Sequence, residues 1–264
     1  MTAVSESASS ATQPLAGKHA LVTGGSRGIG AAIARALVAH GASVTITGRE
    51  KERLARAAHE FGAAFVVSDV TDQEAVERAF ERATKSSGRV DILVNNAGQA
   101  VSAPFLKTDV ELLRRMLAVN LHGTFCFTQS VLPAMLEAGW GRIVNVASTA
   151  GLLGYAYVSA YCVAKHAVVG LTRALAIEVA TKGITVNAVC PGYTDTDMMR
   201  ESVEKIIGKT GKTKDTVVAE LISRNPQKRL ILPEEAANAV AWLCLPGSKS
   251  INGQAIAVAG GEVM

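Results

Sequence analysis

"TGGSRGIG", residues 23–30, follows the apolar run HALV and opens a stretch with helical spacing. Gly24, Gly28 and Gly30 therefore fall at a first strand-to-helix turn. Glycines there permit a tight turn and let backbone N–H groups at the helix N-terminus approach a pyrophosphate. The spacing G-x-x-x-G-x-G departs from the common G-x-G-x-x-G fingerprint, so the turn draws its meaning from its position between strand and helix. The candidate cradle comprises Gly24, Ser26, Arg27, Gly28, Ile29 and Gly30.

The same strand-then-helix order repeats outward from this turn. Apolar, β-branched runs at 19–25, 43–48, 63–69, 90–98, 141–148, 183–192 and 253–261 predict strands. Helical patterns near 29–41, 50–61, 72–86, 109–138 and 158–181 separate them. Strands this apolar, each followed by a helix, predict a parallel sheet covered on both faces, a doubly wound (Rossmann-like) α/β fold. The alternation runs on without a linker, which predicts one domain over 17–264 behind a flexible lead-in at 1–16. The one long interruption, 194–232, sits beyond a strand's carboxyl end, where such sheets bind ligands. It reads as a mobile substrate lid or as a solvated helical excursion.

Composition narrows the function classes. A net charge of +4 over 264 residues, with no dense basic stripe, argues against a nucleic-acid partner. Cys126, Cys162, Cys190 and Cys244 are scattered without CxxC or Cys/His spacing, and the five histidines form no ligand pattern, so no metal site is expected. The polar start MTAVSESASSATQPL lacks the features of a signal peptide, and no apolar run reaches the ~18 residues of a membrane span. These features predict a cytoplasmic protein with no membrane partner. "GKTGKTK" at 208–214 is not a phosphate loop, because Ile206 stands where a glycine is required.

The end of the second strand addresses the choice of dinucleotide. An acidic residue there would hold a ribose 2′-hydroxyl, whereas an arginine accommodates a 2′-phosphate. "ITGREKERL" presents Gly48 and Arg49, with Glu50 one place later. This favours NADP(H), with NAD(H) as the alternative; Arg27 is compatible with the same preference.

Several ordered motifs together carry a resemblance: TGGSRGIG at 23–30, DV at 69–70, NNAG at 95–98, Asn120 within AVN, Ser148, YCVAK at 161–165 and PGYTDT at 191–196. In these the chain resembles the classical short-chain dehydrogenase/reductase family, closest in look to 3-oxoacyl-thioester reductases and 3-hydroxyacyl-CoA dehydrogenases. The resemblance implies a homo-oligomer, favouring a tetramer, that moves hydride between a nicotinamide and a carbonyl or alcohol. It implies that Asp69 holds the adenine with Val70 beside it. Asn96, Ala97 and Gly98 would line the cofactor, and Pro191, Gly192, Thr194 and Thr196 would meet the nicotinamide. Lys165 would also bond the nicotinamide ribose, and Asn120 would anchor a proton-relay water. The family's usual DGG near the C-terminus is AGG here, at 259–261.

Tyr161 and Lys165 are four residues apart and share a helix face. A phenol with a pKa of about 10 is a reluctant acid–base group near neutrality, and a nearby ammonium is expected to lower it. Ser148, thirteen residues before Tyr161, can donate to a substrate oxygen. The catalytic set is thus Ser148, Tyr161 and Lys165, to which the resemblance adds Asn120. Tyr155 is either a substrate contact or an aromatic that fills the lid. The favoured substrate is a 3-oxoacyl-CoA or similar β-keto thioester, whose phosphates Lys205, Lys209, Lys212 and Lys214 could meet. Gly139 and Ile177 stand where carrier-protein reductases place basic docking residues, which weakens that case. A non-thioester ketone or secondary alcohol, including a polyketide type, is the alternative, and a non-catalytic dinucleotide sensor a more distant one.

Overall fold

The computed structural model describes residues 13–264. Seven parallel strands form one sheet in the order β3-β2-β1-β4-β5-β6-β7. They are β1 (His19–Thr23), β2 (Ser43–Gly48), β3 (Ala64–Val67), β4 (Ile92–Asn95), β5 (Gly141–Val146), β6 (Ile184–Pro191) and β7 (Ala255–Val258). The helices are α1 (Gly28–Ala39), α2 (Lys51–Phe61), α3 (Gln73–Ser87), α4 (Val110–Leu117), α5 (Gly123–Ala138), α6 (Ser159–Glu178), α7 (Asp197–Thr210), α8 (Lys214–Leu221) and α9 (Pro233–Cys244). The chain winds from β1 out to β3, then crosses back to β4 beside β1, which makes the β1/β4 edge a topological switch point.

Successive strand side chains point to opposite faces, so each strand feeds two cores. Val22, Ile46 and Val144 pack with Ile33 and Leu37 of α1, Leu54 of α2 and Val240 of α9. Their sequence neighbours Leu21 and Ile143 face the other way, with Leu93, Val76 of α3, Phe127 of α5 and Leu175 of α6. Burial on both faces is why the strand runs read as continuous apolar segments.

Four expectations change. Leu15 is fully buried in the first core, and its N–H donates to His40 O at 3.0 Å, so the fold reaches back into the expected lead-in. Residues 1–12 of that lead-in lie outside the described residues. The single helix expected near 109–138 is interrupted by a π-turn, Ala118–His122, which contains Asn120. The segment 194–232 contains α7 and α8 around a small core of Met199, Val203 and Val217. Helix α9 follows it unanticipated, although Pro233 at its first turn and the Glu235 carboxylate, which accepts Leu232 N–H at 2.7 Å, are start signals. By length and composition α6 could cross a bilayer, contrary to the sequence reading, but half of its apolar window is buried inside the domain.

Candidate active site

Parallel winding brings the carboxyl ends of β1, β2, β3, β4, β5 and β6 to one edge, and every expected site residue lies on or just beyond these ends or on α6 and the π-turn. The glycine loop leaves β1 and turns with φ of +64° at Gly24 and +53° at Gly28. A Cβ on Gly24 would meet Ala97 Cα at 3.1 Å, and one on Gly30 would strike the Gly24 carbonyl. The loop is clamped by the end of β4. Asn96 Nδ2 donates to the carbonyls of Thr23 (2.9 Å) and Gly24 (3.2 Å), while Thr23 Oγ1 accepts the N–H groups of Asn96 and Ala97, both at 3.0 Å. Neither a capping side chain nor an acid occupies the first turn of α1. Its N–H groups and positive dipole end thus suit an anionic pyrophosphate.

Around this cradle, Arg49 is close enough to Asp69 to act on its charge. Burial pushes the Asp69 carboxyl up, but bonds from Thr71 N–H (2.9 Å) and Oγ1 (2.8 Å), together with Arg49, hold it below its ordinary value. Val70 packs against Gly123, where a Cβ would come within 2.6 Å of the Val70 Cβ. On the far side, Thr194 Oγ1 donates to Gly192 O at 3.0 Å, and Thr196 caps α7 with its methyl against Gly28. Pro191 ends β6 immediately before them. Arg27 pairs with Glu201 at 3.4 Å and Asp197 at 3.8 Å on α7, a link absent from the sequence reading. An open cleft of about 550 Å³ adjoins this loop between α1, α2 and α7 and is lined by Arg27, Arg53, Arg56 and Arg200. It holds neither Ser148 nor Tyr161.

At the end of β5, Ser148 Oγ accepts Ala150 N–H at 3.1 Å and lies near enough to the Tyr161 hydroxyl to favour its ionised form. One turn along α6, Lys165 is 4% exposed, with Nζ donating to Val146 O at 2.9 Å. Its Nζ lies 5.8 Å from the centre of the Tyr161 ring. The expected lowering of the phenol is not observed. Burial pushes Tyr161 up to about 12, against the opposing influence of the Ser148 hydroxyl, and pushes Lys165 down to about 8. The ammonium is directed at the strand carbonyl, so desolvation outweighs attraction for both groups.

Asn120 is almost fully buried. In the π-turn its Nδ2 donates to Met116 O (3.0 Å) and Gln99 O (2.9 Å), and its Oδ1 accepts Gln99 N–H at 3.2 Å. Such bulges re-aim side chains at functional sites. Gly98 separates it from the lysine: a Cβ there would lie 2.8 Å from Asn120 Oδ1 and 3.5 Å from Lys165 Nζ. All four expected catalytic side chains therefore gather at the ends of β4 and β5. A hydroxyl, a phenol and an ammonium so placed can polarise a carbonyl oxygen and pass it a proton.

Tyr155 stands in the loop between Ser148 and α6. Its hydroxyl lies 2.8 Å from both Thr149 Oγ1 and Glu262 Oε1. A carboxylate only accepts, so the phenol donates to Glu262 and accepts from Thr149. Glu262 was not expected here, because no local spacing relates positions 107 apart.

Residues 18–207 match the family model for short chain dehydrogenases. The chain is 40% identical over 244 residues to the acetoacetyl-CoA reductase of Rhizobium meliloti, covering 92% of this chain and 97% of that protein. It is 38% identical over 268 residues to the granaticin polyketide synthase putative ketoacyl reductase 1 of Streptomyces violaceoruber, covering 99% and 98%. Among solved structures it resembles a variant of actinorhodin polyketide ketoreductase with NADPH, with a TM-score of 0.89 and 38% identity over 95% of this chain and 98% of that one. With its parallel sheet, glycine loop and gathered serine, tyrosine and lysine, the chain belongs to the short-chain dehydrogenase/reductase family, oxidoreductases that use a nicotinamide dinucleotide to interconvert C=O and CH–OH.

Proposed function

We propose that the protein reduces a β-keto thioester of the 3-oxoacyl-CoA type with NADPH. The observation that carries the chemistry is the gathering of Ser148, Tyr161 and Asn120 around buried Lys165, whose Nζ lies 5.8 Å from the centre of the Tyr161 ring. Gly24, Ser26, Arg27, Gly28, Ile29 and Gly30 would cradle the dinucleotide, flanked by Asp69, Val70, Asn96, Ala97, Gly98, Pro191, Gly192, Thr194 and Thr196, and its nicotinamide would supply the hydride. Ser148 donates to the carbonyl oxygen. Tyr161, held protonated by burial at neutral pH, gives its proton as that oxygen becomes an alkoxide, which is more basic than a phenolate. Lys165 keeps a positive charge beneath the phenol and positions the ribose, and Asn120 holds the relay beside Gly98. Arg49, adjoining Asp69, supports a 2′-phosphate and hence NADP(H) over NAD(H).

The thioester is supported by the likeness to an acetoacetyl-CoA reductase and by exposed Lys205, Lys209, Lys212 and Lys214 on residues 194–232, which we read as the substrate lid. The likeness to polyketide ketoreductases favours a non-thioester or polyketide ketone as the second reading. A sensor without turnover would have no use for Ser148, Tyr161 and Lys165 gathered as they are. Exposed Phe105, Leu106, Phe125, Val163 and Ile177 on and beside α4, α5 and α6 support assembly as a homotetramer, which we place in the cytoplasm.

Initial rates of acetoacetyl-CoA reduction with NADPH and with NADH test the reading. Faster turnover with NADPH supports both parts. Turnover with NADH alone overturns the coenzyme preference, and binding without turnover overturns the thioester.

A further inference from the structure

Four segments distant in sequence meet at Glu262. The carboxylate accepts the Tyr155 hydroxyl, and Tyr155 in turn accepts from Thr149, the residue after Ser148. The other carboxylate oxygen approaches the turn after β6, lying 3.1 Å from a Cβ placed on Gly192. Tyr193, next in that turn, meets the Tyr155 ring edge-on with centroids 6.3 Å apart. Arg224, beyond α8, lies 5.7 Å from the Tyr155 ring centre. The next two residues, Asn225 and Pro226, pack on Gly260 and Gly261, which fixes the segment that delivers Glu262.

We infer that Glu262 is a positioning residue: through Tyr155 and Thr149 it holds Ser148 in its donating geometry, and it ties the C-terminal segment to the substrate end of the pocket. This rests on the reductase reading above. Thr149 is buried, and its carbonyl accepts the N–H groups of Leu152 (2.9 Å) and Leu153 (2.8 Å). Ser148 binds those of Ala150 and Gly151. A displaced Thr149 hydroxyl would therefore disturb the whole turn on which Ser148 sits. Ala259 stands where the family's usual motif has a carboxylate, and here a carboxylate arrives three residues later.

The test is a double-mutant cycle of Tyr155→Phe and Glu262→Ala, read by kcat, KM, coenzyme binding and amide exchange over 148–157. Each single variant is expected to lose about tenfold in kcat, the usual weight of a hydrogen bond to a charged group, with coenzyme affinity unchanged. The double variant should lose no more than either alone. Exchange at the Ala150, Gly151, Leu152 and Leu153 amides should quicken in both. Glu262→Gln, which keeps an acceptor, should recover most of the loss. Additive losses overturn the inference, as does a fall in melting temperature with kcat unmoved. If the unaltered protein reduces none of the ketones tried, the functional reading fails; amide exchange still decides the latch, and unchanged exchange in Glu262→Ala overturns it.

Discussion

The Lys165 ammonium lies 5.8 Å from the centre of the Tyr161 ring on one face of α6, and burial drives both side chains toward their neutral forms. The helix spacing places the two groups together, while the surrounding core makes holding a charge there costly. Stability and activity therefore pull in opposite directions at position 165.

Replacing the lysine with an apolar side chain separates the two. Burial lowers Lys165 from 10.5 to about 8, so the unfolded chain binds more protons than the folded one between those values. The destabilisation is full below pH 8 and lifts as pH rises toward 10.5. Lys165→Met loses the bond to Val146 O yet should gain about 1–2 kcal/mol at pH 7. Its activity should collapse. Denaturant melts at pH 7 and pH 10 check this: the gain must shrink at the higher pH.

Tyr161→Phe keeps the ring packed on Ala160, Ala164 and Met116 but removes the proton donor. Turnover should fall about 10²–10⁴-fold, the range of a lost general acid. Coenzyme affinity, followed by fluorescence titration, should stay within about twofold of the unaltered protein, well inside the ~1.4 kcal/mol of a tenfold change. Retention of a tenth of the rate would remove Tyr161 from its role.

Gly98→Ala places a methyl 2.8 Å from Asn120 Oδ1 and 3.5 Å from Lys165 Nζ. Asn120 is held on two sides by Gln99 and on a third by Met116, so it cannot yield cheaply. Overpacking of this kind costs about 1–3 kcal/mol. Turnover should drop at least tenfold, with a lower melting temperature; kinetics and calorimetry on the same preparation read both.

Arg49→Ala removes the cation that faces Asp69 beyond β2. NADPH should bind about 10- to 100-fold more weakly, as expected on losing a charge-assisted bond to phosphate, while NADH changes little. Parallel titrations decide it, and equal weakening of both coenzymes would show that Arg49 does not read the 2′-phosphate.

The sheet was legible because strands packed between two layers of helices read as short runs rich in apolar and β-branched residues. SVTITG, for example, coincides with β2 over Ser43–Gly48. The pairing of Tyr161 with Lys165 was legible too, since helical spacing is a local rule. Other features were hidden because they are not local. The apolar pattern of 109–138 reads as one helix, and only packing around Gly98 and Gln99 reveals the π-turn that aims Asn120 inward. Helix α9 carried its start signals at Pro233 and Glu235, but the mixed segment before it masked them.

What the sequence by itself determined is the order of strands and helices and the identity of the chemical groups at their ends, because short-range periodicity and residue type encode both. Only the tertiary structure decided how those groups behave. Desolvation sets Tyr161 near 12 and Lys165 near 8, and chain closure brings Glu262 onto Tyr155. Dielectric surroundings and contacts 107 positions apart are properties of the packed whole, which no stretch of the chain holds alone.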